Sequence, residues 1–181
     1  MMWSRQIYLR TCRSTLCCFS SAEPKFLLTV ACPAFVRRCS NITNKAAGSG
    51  TCAVGDEAEA RRSFSAADVD AFAVLSGDTN PLHLDDNYAK DTRFGQRIVH
   101  GLLVHSMISA LLGTRMPGTG SIYVSQTLHF TAPVFIDEEV LGVVRVKERR
   151  KSLAIIETIC TAVERDKVVL HGEAVVKCTK T

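Results

Sequence analysis

Residues 97–113 carry apolar side chains around most of a helical circumference, and this segment constrains the fold more than any other. Ile98, Leu102, Leu103, Met107, Ile108, Leu111 and Leu112 fall on several sides of a 3.6-residue helix. A helix with so little polar surface has to be enclosed. Seventeen residues with polar interruptions fall short of the roughly 20 predominantly apolar residues that cross a bilayer. The enclosing material is therefore protein, and membrane insertion is not expected.

Four strand-like segments follow. Residues 121–131 alternate, with Ile122, Val124, Leu128 and Phe130 on one face and Tyr123, Ser125, Thr127 and His129 on the other. Residues 139–148 set Val140, Val144 and Val146 against Leu141, Val143 and Arg145. Residues 153–163 carry Leu153, Ile155, Ile159 and Val163, and residues 168–177 carry Val168, Leu170, Ala174 and Val176. Arg149-Arg150-Lys151 and Arg165-Asp166-Lys167 are connections short enough to make the last strands antiparallel neighbours. The expectation is an α+β domain, an antiparallel β-sheet wrapped around a long central helix. Ahead of it, Ser65-Ala66-Ala67-Asp68 reads as a capping-box start to a helix bearing Val69, Phe72, Ala73 and Leu75, and Ser76-Gly77 stops that helix.

Charge divides the 181-residue chain in two. Residues 1–50 hold seven of the 22 Lys/Arg but only one of the 18 acids, Glu23, leaving the remainder with 15 basic against 17 acidic side chains. The basic excess belongs to the tail, so nothing in the body points to nucleic-acid binding. Cys12, Cys17, Cys18, Cys32, Cys39 and Cys52 also lie in or beside the tail. Cys160 and Cys178 have neither Cys-x-x-Cys nor zinc-ligand spacing and read as small buried apolar residues. An Arg- and Ser-rich, acid-poor tail has the composition of a mitochondrial transit peptide. Its rival is a secretory signal built on Phe26-Leu27-Leu28-Thr29-Val30-Ala31-Cys32, which starts late and stops at Pro33. Ala46-Ala47-Gly48-Ser49-Gly50-Thr51 reads as a linker. The expected division is 1–55 for transit peptide and linker and 56–181 for the folded domain.

Chemistry concentrates in Ser76-Gly77-Asp78-Thr79-Asn80-Pro81-Leu82-His83, which sets a carboxylate and an imidazole five positions apart. Pro81 forbids a continued helix and pushes Asn80 toward extended backbone. An acid and a base on one sharp loop suit proton transfer. The same residue types are also ordinary turn formers, so the loop taken alone reads more readily as a plain turn. Val99-His100-Gly101 opens the apolar helix, where a backbone N–H and the helix dipole can stabilise a developing oxyanion. No phosphate-cradling glycine motif occurs.

Taken together, Leu75 to His83, Ile98-Val99-His100-Gly101-Leu102 and Pro117-Gly118-Thr119-Gly120-Ser121-Ile122-Tyr123 resemble the MaoC-like (R)-specific enoyl-CoA hydratases over residues 63–178. The resemblance implies the hot-dog fold and reversible dehydration of a (3R)-3-hydroxyacyl thioester to a trans-2-enoyl thioester. It implies Asp78 and His83 as catalytic residues, Gly101 as the oxyanion donor, and Asn80 and Ser109 as neighbours of the substrate. His100 is expected to set up the helix start, with His105, His129 and His171 structural or exposed. No metal, flavin or nicotinamide cofactor is implied, and the substrate is carried on phosphopantetheine of acyl carrier protein or CoA. Arg93, Arg97, Arg115 or the Arg149-Arg150-Lys151 turn could dock an acidic carrier, although a solvated face is the commoner fate of such groups. With the tail, the expectation is a mitochondrial-matrix dehydratase of fatty acid synthesis. An acyl-CoA hydratase, a thioesterase and a non-catalytic acyl-binding module are the alternatives. A rolled sheet leaves strand edges open, so a homodimer is expected.

Overall fold

A computed structural model of the chain describes residues 52–178. The expected transit peptide and most of the linker fall outside the described residues. Cys52 is already buried in the core, and the N–H of Gly55 reaches Val146 O.

Strand β1 (Glu57–Ser63) leads into α1 (Ala66–Ser76), two short helical turns α2 (Pro81–Leu84) and α3 (Asp86–Lys90), and then α4 (Gly101–Thr114). Strands β2 (Ile122–Gln126), β3 (His129–Phe130), β4 (Glu139–Arg150), β5 (Leu153–Ala162) and β6 (Lys167–Lys177) complete the domain. The sheet runs β1-β4-β5-β6-β2, with β3 also on β6, and its strand pairs are antiparallel. Helix α4 touches β1, β2, β4, β5 and β6, which is the wrapped arrangement the sequence implied. Its Leu103, Val104, Met107, Ile108, Leu111 and Leu112 are buried. Burying each such side chain contributes about 1.5–3 kcal/mol.

Three differences from the sequence reading have physical causes. Helix α4 is enclosed on one side only: Leu102, Ser109, Ala110, Gly113 and Thr114 face outward. Its first turn also starts later than expected, because Ile98 bridges Phe135 and the Val99 N–H bonds Val134 O, so both residues run extended. In β5 the buried face is Ala154, Ile156, Thr158, Cys160 and Ala162, the opposite parity from Leu153, Ile155 and Ile159. Ala154, Thr158, Cys160 and Ala162 keep most of that face small, and Ile156 is the one large side chain on it.

The segment 121–131 is broken between β2 and β3. A Cβ on Gly172 would lie 1.8 Å from the Thr127 carbonyl oxygen, so the crossing chain rests directly on the bare backbone of β6. Strand β1 was not anticipated at all. Glu57-Ala58-Glu59-Ala60-Arg61-Arg62-Ser63 has no β-branched or aromatic residue, and pairing with β4 imposes its conformation.

Candidate active site

The capping box anticipated at Ser65 is present. Ser65 Oγ accepts from the Asp68 N–H at 3.3 Å, and Asp68 Oδ2 accepts from the Ser65 N–H at 2.8 Å. Helix α1 ends at Gly77, with φ 78°, and the chain turns sharply into Asp78. There Asp78 Oδ1 accepts from the Asn80 N–H at 3.2 Å, and Asn80 Oδ1 accepts from the Leu82 N–H at 3.1 Å. Asn80 is thus the cap of α2 and does not line the cavity described below.

His83 is carried inward by α2 and is only 9% exposed. Its Nδ1 lies 2.7 Å from Ile98 O. A carbonyl only accepts, so Nδ1 carries a proton, and in the Nδ1–H tautomer it is Nε2 that has a free lone pair. One carboxylate oxygen of Asp78 and one ring nitrogen each of His83 and His100 lie within 4.8 Å of one another. A single water, hydrogen-bonded at about 2.8 Å to each of two groups, spans such a gap.

These groups border a cavity of about 560 Å³. Its walls come from separate parts of the chain: Phe72 of α1, Phe94, Val134, and Leu170 of β6, with Gly101 at the start of α4. The N–H groups of the first helical turn have no partner within the helix and so are available as donors. A Cβ at Gly101 would stand 2.7 Å from Cε1 of Phe130, another wall residue, so glycine there serves the packing of that ring as well as access to the backbone. Ser109 is not brought to this cavity. It lies two turns along α4 on the outward side.

Asp78, His83 and His100 are also the one group of three ligating side chains close enough to share a cation among the described residues. The rings of His83 and His100 are stacked, however, at 3.9 Å and 28°. Near-parallel rings send their lone pairs side by side instead of toward one point, a poor fit to tetrahedral or octahedral ligation. What the cavity offers is largely apolar wall beside a carboxylate and an imidazole.

His100 is the residue whose importance the sequence reading underrated. It occupies the N-cap of α4, yet its side chain makes no capping bond. Its Nε2 lies 3.1 Å from the backbone oxygen of Asp78. Burial lowers its pKa below the ordinary 6.5, so the ring is neutral at physiological pH. The remaining histidines stand apart: His105 meets Tyr123 Oη at 3.3 Å, and His129 and His171 stack on the outer face of the sheet. The larger concavity there, about 820 Å³, includes neither Asp78 nor His83.

Of the basic groups considered for docking, Arg97 is held by Asp86 and Asp70, Arg149 by Cys52 O, and Arg150 by Glu148. Arg93 alone of the candidates lines the cavity, exposed and lying over the Phe94 ring.

Comparison with known proteins agrees with this geometry. Residues 52–169 match the family model described as MaoC like domain. The 3-hydroxybutyryl-CoA dehydratase of Methylorubrum extorquens is 48% identical over 125 residues, covering 66% of this chain and 76% of that one. The mitochondrial 3-hydroxyacyl-[acyl-carrier-protein] dehydratase of Arabidopsis thaliana is 40% identical over 125 residues, 67% of this chain and 74% of that one. Among solved structures, an (R)-hydratase from A. caviae involved in PHA biosynthesis superposes with a TM-score of 0.68 at 44% identity. That match covers 70% of this chain and 97% of the other, and it establishes the hot-dog fold.

Proposed function

The chain belongs to the MaoC-like family of hydro-lyases, and from that premise we propose that it interconverts (3R)-3-hydroxyacyl and trans-2-enoyl thioesters. One observation carries the reading: the Asp78 carboxylate and a His83 nitrogen converge within 4.8 Å on the wall of an apolar-walled cavity. In the dehydration direction a proton leaves C2 for one member of the pair. The same group, now protonated, returns a proton to the C3 hydroxyl while the other member holds that hydroxyl by a hydrogen bond, and water departs as the double bond forms. The bare Nε2 of His83 is suited to accept a proton, and the thioester enolate oxygen is stabilised by the Gly101 N–H at the positive end of α4. No metal or redox cofactor enters these steps. Asn80 shapes the loop from its capping position, and Ser109 lies too far outward for a role within one chain.

The physiological carrier we propose is acyl carrier protein, in the fatty acid synthesis of the mitochondrial matrix. The acid-poor tail, the Arabidopsis relative and the Arg93 cation at the cavity, which forms no ion pair among the described residues, support it. An acyl-CoA route is the second reading, favoured by the higher identity to the bacterial CoA dehydratase.

A homodimer fits the same picture. Strand β2 is an edge whose Ile122 and Val124 are 53% and 56% exposed, beside the open side of α4, whereas the opposite edge β1 is charged and polar. Pairing two copies along β2 covers the apolar edge. A monomeric species in sedimentation that retains full activity would contradict this.

The direct test offers the full chain matched trans-2-enoyl groups on CoA and on carrier protein and determines product chirality. Formation of the (R)-3-hydroxyacyl product, with kcat/KM higher on carrier protein, is expected. An (S) product or release of free thiol overturns the assigned reaction, and a preference for CoA overturns the assigned carrier.

A further inference from the structure

His100 sits where a helix would ordinarily place Ser, Thr, Asp or Asn to satisfy its first N–H groups. It leaves that task undone. Its Nδ1 is buried without a hydrogen-bond partner among the described residues, and the whole residue is only 2% exposed. Leaving a buried acceptor unpaired and a helix uncapped both work against stability. What the residue gains lies on its other two surfaces. Nε2–H donates to the backbone oxygen of Asp78 at 3.1 Å, and the ring face stacks on His83 at 3.9 Å between centroids. Phe72 closes the remaining side, tilted at 5.1 Å.

We propose that His100 is a positioning residue that locks the Asp78 loop and the His83 ring into one arrangement at the N-terminus of α4. Asp78 is exposed, and the two flanking bonds to Ser76 Oγ and Asn80 N–H are local to its own loop. The bond from His100 ties that loop to the core helix. His83 is fixed along its edge by Ile98 O, and stacking fixes the plane in which that edge lies. One side chain therefore sets the separation of acid and base. It also sets both relative to Gly101, the next residue. The two titratable groups facing His100 are Asp78 and His83 themselves, and it stays neutral between them.

Kinetically the inference rests on the proposed dehydratase reading. Two variants separate its parts. His100→Gln keeps a donor at the position of Nε2 but has no ring, and His100→Phe keeps a ring but has no donor. Because a misplacement of about 1 Å can cost ~10²-fold in rate, His100→Phe should lose on the order of 10²-fold in kcat. Its KM should stay within about threefold, and His100→Gln should recover at least about tenfold of that loss. A second readout needs no turnover: in ¹⁵N-histidine NMR of the full chain, His83 should be the Nδ1–H tautomer in the native protein. In His100→Gln, which lacks the stacking ring, it should show a tautomer mixture or an exchange-broadened signal. Native kcat in the folded Phe variant, or equal losses in both variants that track their melting temperatures, would overturn the proposal. So would an unchanged His83 spectrum in the Gln variant. Absence of turnover in the native protein would instead count against the dehydratase reading, and the spectra would still decide this one.

Discussion

At Gly101 a single methyl group separates access from obstruction. Alanine there would bring Cβ within 2.7 Å of the Phe130 ring, which must swing aside. Phe130 is 55% exposed, so it has room to move without unfolding the sheet. Gly101→Ala is therefore expected to leave the melting temperature within a few degrees while raising KM for enoyl thioesters, as steady-state kinetics would show. An unchanged KM would mean that the ring does not border the bound acyl group. At this scale the sequence was readable where the chemistry is compact: Asp78, His83 and Gly101 fall in two short motifs, and the structure assembles them. It was less readable where role depends on direction. Asn80 turned out to be committed to the Leu82 N–H, and Ser109 faces away from the cavity. His100 gave no sign in sequence that its ring would reach back 22 positions to Asp78. The cavity walls come from Phe72, Phe94, Phe130, Val134 and Leu170, which no local pattern links.

The elements follow periodicity where burial is one-sided and depart from it where tertiary contacts decide. Strand β4 buries Val140, Gly142, Val144 and Val146 in strict alternation, as its pattern indicated. Strand β5 has apolar residues on both faces, so alternation alone could not choose between them, and tertiary packing decides which face is buried. Charged β1 is a strand because β4 offers it a ladder. The break between β2 and β3 belongs to the same class, since it depends on a glycine some forty residues away. Gly172→Ala is expected to be among the most damaging single-methyl additions to this fold. The new Cβ would overlap the backbone of Thr127, and backbone cannot rotate away as Phe130 can. Overpacking of this kind costs about 1–3 kcal/mol or more. Thermal unfolding measures it directly, and a native melting temperature in this variant would show that the crossing at Thr127 is not rigid.

Across the whole molecule, pH reports on buried imidazoles. His100 and His105 both have pKa values lowered from 6.5, in each case mainly by burial. The unfolded chain therefore binds protons that the folded chain refuses, and stability must fall as pH drops below about 6.5 toward the depressed folded values. A second loss belongs to Glu138. Burial would raise its pKa, but hydrogen bonds from Arg165 and the Phe135 N–H outweigh burial and hold it below 4.5. Its contribution is intact at neutral pH and disappears only as pH falls below that value through the depressed one. Urea unfolding at pH 7.5, 5.5 and 4 should show both declines, and stability constant between pH 7.5 and 5.5 would contradict the neutral, buried state of the two histidines. The central claim is that Asp78 and His83 work on one substrate. Asparagine at 78 keeps an oxygen to receive the Asn80 N–H, so Asp78→Asn removes the charge and the proton-carrying capacity while sparing the loop. The deciding measurement is hydration of a trans-2-enoyl thioester by the native chain and by Asp78→Asn at equal folded concentration. A loss of about 10²–10⁴-fold in kcat is predicted, and turnover by the variant at the native rate would contradict the account.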